Sequence, residues 1–566
     1  MKKIIAIILV FLLIGWVIFK PKETFVPELA DATIVRVAQG ELTGFIAENG
    51  AHVWRGVPYA ADTSGENRWR GPRPAPDWNG NREALKFAPV CPQIATSFTP
   101  IESFTNGELE GSEDCLAFDI YAPSDAKGKS LPVMVWIHGG SNVSGASQLY
   151  IGDKLAAHEN VIVMSVQYRL GPLGWFSHPD LVASAESEEE KSANFGILDL
   201  IAALKWVQDN ASVFGGDPDN VTIFGESAGG HNVVSLLASP LAEGLFHKAI
   251  IQSGSFDSVS VDEAQGLSGD QPNPSLQVAE RLGGFDKFHT ASLADVFAAY
   301  ELDAGGFMDL PRIVEDGVVL PAIPLREVFA SADNYSTVPT ISGINRDEMK
   351  LFNLFDERLT ETKMGQFIVA RDQDIYDAAS EYGSRNWRVR SVDAPLTMMR
   401  DGGHEDIYAY QFDWDEGGKF LWMDLSKMLG AAHGIEIPFV FNRFSILGDA
   451  DKIMFKKKTF KTRDQLSRAM GAYWAAFART GTPDVDGQPV WPRFGPEANV
   501  IHFDSENDAG IHLKKGAETA DQLVSDFFED PRVTEAYRCG IASFLNEWML
   551  EPNMQLSSLN TEQKCV

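Results

Sequence analysis

The sequence predicts an α/β fold, a mostly parallel sheet with helices on its faces, on three observations. Short β-branched, near-continuously apolar runs recur at Val133–Ile137, Val161–Gln167, Val221–Phe224, Ala249–Gln252 and Val338–Gly343. Longer helical or irregular stretches separate them, as crossover connections between parallel strands require, and strands covered on both faces lose polar alternation. Two of the runs also open into small-residue turns, His138-Gly139-Gly140-Ser141 after the first and Gly225-Glu226-Ser227-Ala228-Gly229 after the third.

The 566 residues include 44% hydrophobic positions, 35 phenylalanines and 13 tryptophans, enough for a large core and contrary to a disordered or collagenous class. A formal charge of −31 repels phosphate backbones, which argues against nucleic acid as a partner. The acidity reads as a solvated, aggregation-resistant surface rather than as attraction for cationic substrates.

At the N-terminus, Lys2 and Lys3 precede an apolar run from Ile4 to Phe19, and Lys20-Pro21-Lys22 follows. Residues 1–24 therefore read as a targeting segment. Its apolar helix would span roughly 24 Å against a hydrocarbon core of ~30 Å, so length leaves open whether it is an anchor or a signal peptide. The first A-x-A is the distant Ala30-Asp31-Ala32, which favours an uncleaved anchor lying in the membrane. Either way residues 25–566, read as one domain, are expected outside the cytoplasm, periplasmic or extracytoplasmic if tethered and secreted if cleaved. No cysteine precedes Cys91, which excludes a lipid-modified one near the N-terminus. The four cysteines suit an oxidising compartment: Cys91 and Cys115 enclose a short segment, and Cys539 and Cys565 bracket the C-terminal tail. Metal-ligand spacing is absent, so no metal site is assigned.

Ile197, Ile201 and Leu204 recur at helical spacing within Gly196–Val213, and Gly215-Gly216-Asp217-Pro218 stops that helix before the third strand. The acidic stretch Ala183–Ala193, with Glu188-Glu189-Glu190, reads as a solvated surface insertion. Repeats, heptads and long Gly/Ser linkers are absent.

The chemistry gathers at the two turns. A strand, G-x-S-x-G and then a helix has the form of a nucleophile elbow, in which a sharp turn lifts the Ser227 hydroxyl out of the sheet and flanking glycines let neighbouring backbone approach. A helix N-cap serine would suit the same local pattern. The turn at His138-Gly139-Gly140-Ser141 is of the kind that presents backbone N–H groups to an oxyanion.

Further motifs accompany these turns: Trp54-Arg55-Gly56-Val57-Pro58-Tyr59-Ala60, Ser112-Glu113-Asp114-Cys115-Leu116, Asn194-Phe195-Gly196, Phe214-Gly215-Gly216-Asp217-Pro218, Gln252-Ser253-Gly254-Ser255, Gly430-Ala431-Ala432-His433-Gly434, and Trp474 with Phe477-Ala478-Arg479-Thr480-Gly481. With them the chain resembles the type-B carboxylesterases, which include cholinesterases and bacterial para-nitrobenzyl esterases, within the α/β-hydrolase superfamily, over about residues 32 to 500.

The resemblance implies an α/β-hydrolase fold with large insertions and a cofactor-free serine esterase acting through an acyl-enzyme. It implies Ser227, Glu348 and His433 as the catalytic triad, oxyanion donors at the N–H groups of Gly140, Ser141 and Ala228, and a Cys91–Cys115 disulfide. Asp347 and His404 are the alternative acid and base. Glu226 is either a neutral elbow residue or a buried carboxylate that shapes the site's field. Many relatives carry a third glycine where this chain has Ser141, which narrows the space for bulky substrates. The loop between Cys91 and Cys115 holds Phe98 and Phe104 but no tryptophan, which argues against choline esters. The expected partner is a neutral, moderately hydrophobic small-molecule ester; no oligomeric state is assigned. A non-catalytic cholinesterase-like interaction protein and a lipase are the alternative functions.

Overall fold

The computed structural model of the protein describes residues 25–96, 107–302, 308–363, 367–420, 422–445, 451–533 and 538. Eleven strands form the main sheet among these residues: β1 (Phe45–Ile46), β2 (His52–Pro58), β3 (Ala117–Ala122), β4 (Leu131–Ile137), β5 (Ile162–Val166), β6 (Gly216–Glu226), β7 (Lys248–Gln252), β8 (Thr340–Asn345), β9 (Ile407–Phe412), β10 (Asn499–Phe503) and β11 (His512–Lys515). Their order across the sheet is β1-β2-β3-β5-β4-β6-β7-β8-β9-β10-β11. Neighbours from β5 to β10 are parallel, and the pairs at both edges are antiparallel.

The five predicted runs are β4 to β8, displaced at their ends. Strands β1, β2, β3, β9, β10 and β11 extend the sheet beyond that reading. The unbroken hydrophobicity of the central runs has a direct cause: in β4, Val133, Val135 and Ile137 join one core while Met134 and Trp136 join the other. Helices α1 (Phe195–Asn210) and α2 (Ala228–Ala238) pack into the first core, and α4 (Phe460–Thr480) packs into the second. Between them in sequence, α3 (Gln373–Arg388) ends in a π-helical turn at Val389–Asp393.

Helix α1 begins one residue before the predicted start, and its last turn tightens into a 3-10 turn that Gly215 closes at φ +88°. It is buried nearly all round, including Asp199, whose carboxylate takes the equally buried Arg169 guanidinium at 2.7 Å. Removing one partner of such a pair costs about 3–5 kcal/mol, because the other charge stays buried. The acidic stretch is less solvated than predicted: Glu190 is buried, 3.1 Å from Arg70, and Glu186 pairs with Arg73, so arginines on a distant loop draw it onto the fold. Cys91 and Cys115 form a disulfide. Cys539, Cys565, Phe98, Phe104 and the apolar run Ile4–Phe19 lie outside the described residues. No helix among the described residues is long and apolar enough to cross a membrane.

Candidate active site

The C-terminal ends of the parallel strands, where open α/β sheets bind ligands, bring the candidate residues together. Ser227 follows β6 at φ +58° and ψ −124°, a conformation that L-residues rarely adopt, and opens α2. The elbow's glycines are sterically required. A Cβ at Gly229 would lie 2.0 Å from the Ile137 carbonyl oxygen, and one at Gly225 would lie 2.6 Å from the Gly229 backbone. Ser227 N–H donates to the Gln252 carbonyl at 2.8 Å, which ties the elbow to the end of β7.

Past β4, Gly139 lies so close to the elbow that a Cβ there would stand 3.0 Å from Ser227 Cβ. Gly140 and Ser141 have φ +104° and +54°. The N–H groups of Gly140, Ser141 and Ala228 donate to no acceptor among the described residues.

Beyond β8, Glu348 is fully buried and accepts three hydrogen bonds, from Ser253 Oγ at 2.5 Å, Asn345 N–H at 2.7 Å and His433 Nδ1 at 2.5 Å. The opposite nitrogen of His433, Nε2, lies 3.2 Å from Glu226 Oε1 but off the line of a good hydrogen bond. Ser227 Oγ makes no hydrogen bond with any described residue. The imidazole thus sits on the residue before the serine. Trp387 and Phe352 flank it, with ring centroids 4.9 and 5.4 Å away.

The alternatives are placed elsewhere. Asp347 binds Arg346, Lys350 and the Ala431 N–H, which clamps the acid loop to the histidine loop. Burial would raise its carboxyl, but Arg346 and Lys350 hold it below the usual range. His404 pairs with the Tyr335 hydroxyl at 3.0 Å.

The profile of the Carboxylesterase family matches residues 31–388 and 373–521. This chain belongs to that family. The carboxylesterase is 34% identical over 516 residues to the para-nitrobenzyl esterase of Bacillus subtilis, covering 84% of this chain and 95% of the relative. It is 34% identical over 552 residues to the liver carboxylesterase of Sus scrofa, covering 88% and 94%. Among solved structures, a PNB esterase superposes with a TM-score of 0.67 at 29% identity, covering 87% of this chain and all of that one. The Geobacillus stearothermophilus carboxylesterase EST55 gives 0.68 at 29% identity, covering 85% and 98%. The α/β-hydrolase fold is theirs in common, and the protein is a carboxylic-ester hydrolase.

Several residues around the carboxylesterase's site escaped the sequence reading. Ser253 appeared only as part of a motif, with no role. Glu436, also fully buried, accepts from Asn345 Nδ2 at 2.6 Å and Gln252 Nε2 at 3.1 Å, while Gln252 Oε1 accepts from Trp474 Nε1 at 3.0 Å. Its place three residues after His433 was the one available signal. Three buried glutamates therefore act on one imidazole, Glu226 and Glu348 in contact with it and Glu436 through its charge. Burial lifts Glu226 to about 8, opposed by His433 and reinforced by Glu436 and Glu348. Burial and the Glu348 charge likewise raise Glu436. For His433, burial is outweighed by Glu226, Glu348 and its hydrogen bond to Glu348, which push it up to about 9. The neighbouring negative charges thus disfavour ionisation of Glu226 and Glu436 and favour the charged form of His433.

Proposed function

We propose that this carboxylesterase hydrolyses its esters through an acyl-enzyme formed on Ser227, with His433 as general base and acid and Glu348 as the group that orients it. The observation that carries the reading is the contact of His433 with the three-times-bonded Glu348 carboxylate on one side and with Glu226, the residue adjoining Ser227, on the other.

On substrate binding the imidazole turns from Glu226 to Ser227 Oγ, a tightening expected between a free site and its Michaelis complex. Nε2 takes the hydroxyl proton as Oγ attacks the ester carbon, and the carbonyl π electrons move onto oxygen, where the N–H groups of Gly140, Ser141 and Ala228 stabilise the charge. Collapse expels the alkoxide, which leaves with the proton from Nε2. Water then repeats the sequence on the acyl-enzyme and releases the acid. Throughout, Glu348 fixes the tautomer and stabilises the imidazolium. Trp387 and Phe352 beside the imidazole favour neutral, moderately hydrophobic esters.

Residues 1–24 act as an N-terminal anchor on an exported 25–566 hydrolase domain, a reading supported by the lysine-flanked apolar run and by a disulfide suited to oxidising compartments. An organophosphorus ester should label one site per chain, with labelling and turnover both lost in Ser227→Ala. Turnover persisting in that variant would refute the assignment. Deleting residues 1–24 should move activity from the membrane fraction to the soluble one; activity already soluble in the full chain would refute the anchor.

A further inference from the structure

The oxyanion turn is conformationally strained, and the strain is held unevenly. Gly140, Ser141 and Asn142 have φ +104°, +54° and +57° in succession. A left-handed conformation is unfavourable for an L-residue, so the two non-glycines need support. Asn142 has it on several sides. Its amide exchanges hydrogen bonds with Asn232 at 3.1 and 2.9 Å, its Oδ1 accepts from the Tyr168 hydroxyl at 3.1 Å, and its carbonyl accepts from Gly171 N–H at 2.6 Å. The Gly140 carbonyl takes the N–H groups of Val143 and Ser144, both at 3.0 Å. The Ser141 carbonyl has a single donor among the described residues, Arg312 Nη1 at 3.0 Å.

Arg312 is itself held in place. Its Nη2 donates to Asp309 Oδ1 at 2.9 Å. The next residue, Ile313, is fully buried at φ +55°, an outlier for a β-branched side chain. Hydrogen bonds at its carbonyl and at the next residue keep it there: Val259 N–H donates to the Ile313 carbonyl at 3.1 Å, and Asn194 bonds both the N–H and the carbonyl of Val314 at 2.8 and 2.7 Å. Two strained segments meet where Arg312 touches Ser141, and strain of this kind clusters at functional sites.

We propose that Arg312 is a positioning residue for ester hydrolysis, whose guanidinium holds the Ser141 carbonyl so that the turn keeps its N–H groups aimed at the charge developing above Ser227. This rests on the Ser227 reading given above. The brace works because donors fixed before the reaction cost no reorganisation in the transition state. A lysine at this position would keep the charge but lose the planar fork that reaches Ser141 and Asp309 together.

The test compares Arg312→Met, Arg312→Lys and Asp309→Asn on a short-chain aryl ester, with Ser227→Ala as control and thermal midpoints measured throughout. Arg312→Met is expected to lower kcat about 10- to 100-fold, as loss of oxyanion support does, with KM within about twofold. Its affinity for a trifluoromethyl ketone, which adds to the serine as a tetrahedral mimic, should fall by the same factor. Arg312→Lys should recover part of both losses. Asp309→Asn, which leaves the arginine in place but loosens it, should show a smaller loss in the same direction, and it tests the brace even if Arg312→Met fails to fold. Unchanged kcat and ketone affinity, a rise in KM alone, or losses that track only the thermal midpoint would overturn the proposal. Turnover surviving in Ser227→Ala would defeat the underlying site reading instead, whereas an inactive Ser227→Ala beside an unaffected Arg312→Met defeats the brace alone.

Discussion

The Nε2 atom of His433 lies 3.2 Å from Oε1 of Glu226, the residue immediately ahead of Ser227. Under the proposed mechanism the atom that takes the serine's proton already faces a carboxylate, and that carboxylate favours the charged imidazole over the neutral form able to act as a base.

The first prediction concerns pH. A facing carboxylate raises a histidine's pKa, and with Glu226 and Glu348 present His433 stands at about 9. Activity that needs neutral imidazole rises as pH climbs through that value. Glu226→Gln removes one of the three carboxylates that raise His433, so the acidic limb of the kcat/KM profile should move to lower pH by about one unit or more. A limb that stays in place would mean that Glu226 does not control the base.

Backbone strain at the elbow gives the second. Ser227 has φ +58°, where a Cβ is unfavourable. Ser227→Ala and Ser227→Gly should both be inactive, but the glycine variant should be the more stable by about 0.5–1 kcal/mol in urea unfolding. That margin is the left-handed penalty of a Cβ less the extra chain entropy glycine loses on folding. An alanine variant that is the more stable would show the elbow to be relaxed.

Close backbone approach gives the third. A methyl group at Gly229 would sit 2.0 Å from the Ile137 carbonyl oxygen and 2.8 Å from that of His138, and neither can retreat without shifting β4. Gly229→Ala should destabilise the carboxylesterase by about 3 kcal/mol or more, read by chemical denaturation. Near-normal stability would contradict this packing.

The fourth prediction tests the support of the acid. Ser253→Ala removes one of the three hydrogen bonds to Glu348. Hydrogen bonds to charged groups are worth about 1.5–3 kcal/mol, so kcat should drop by about ten- to a hundredfold with little change in KM. Steady-state kinetics decide it, and an unaltered kcat would reduce Ser253 to packing.

Some of this architecture is written locally. The strand-glycine-serine-glycine-helix pattern around Ser227 reflects sterics within a few residues, and the periodicity of α1 reflects its own burial. The doubly covered strands declare themselves because both faces of β4 to β8 are apolar. The ends of those strands were less legible, since pairing with neighbours decides them. Strand β9 was missed although Ile407–Phe412 is buried throughout, because a short apolar run reads equally well as part of a helix. Glu348 and His433 were assigned as acid and base through motifs resembling a family, not through any local property of either residue.

The sequence by itself determined the sheet's core strands, the turn that presents Ser227, and membership in a family of ester hydrolases. Tertiary structure alone decided that Glu226 faces His433, that Ser253 and Glu436 join the buried carboxylate cluster, and that Arg312 reaches Ser141 from 171 residues away. The physical reason is range: torsional preference and burial periodicity act over a few residues and leave a pattern, whereas a hydrogen bond closed across a long loop leaves none until the chain has folded around it.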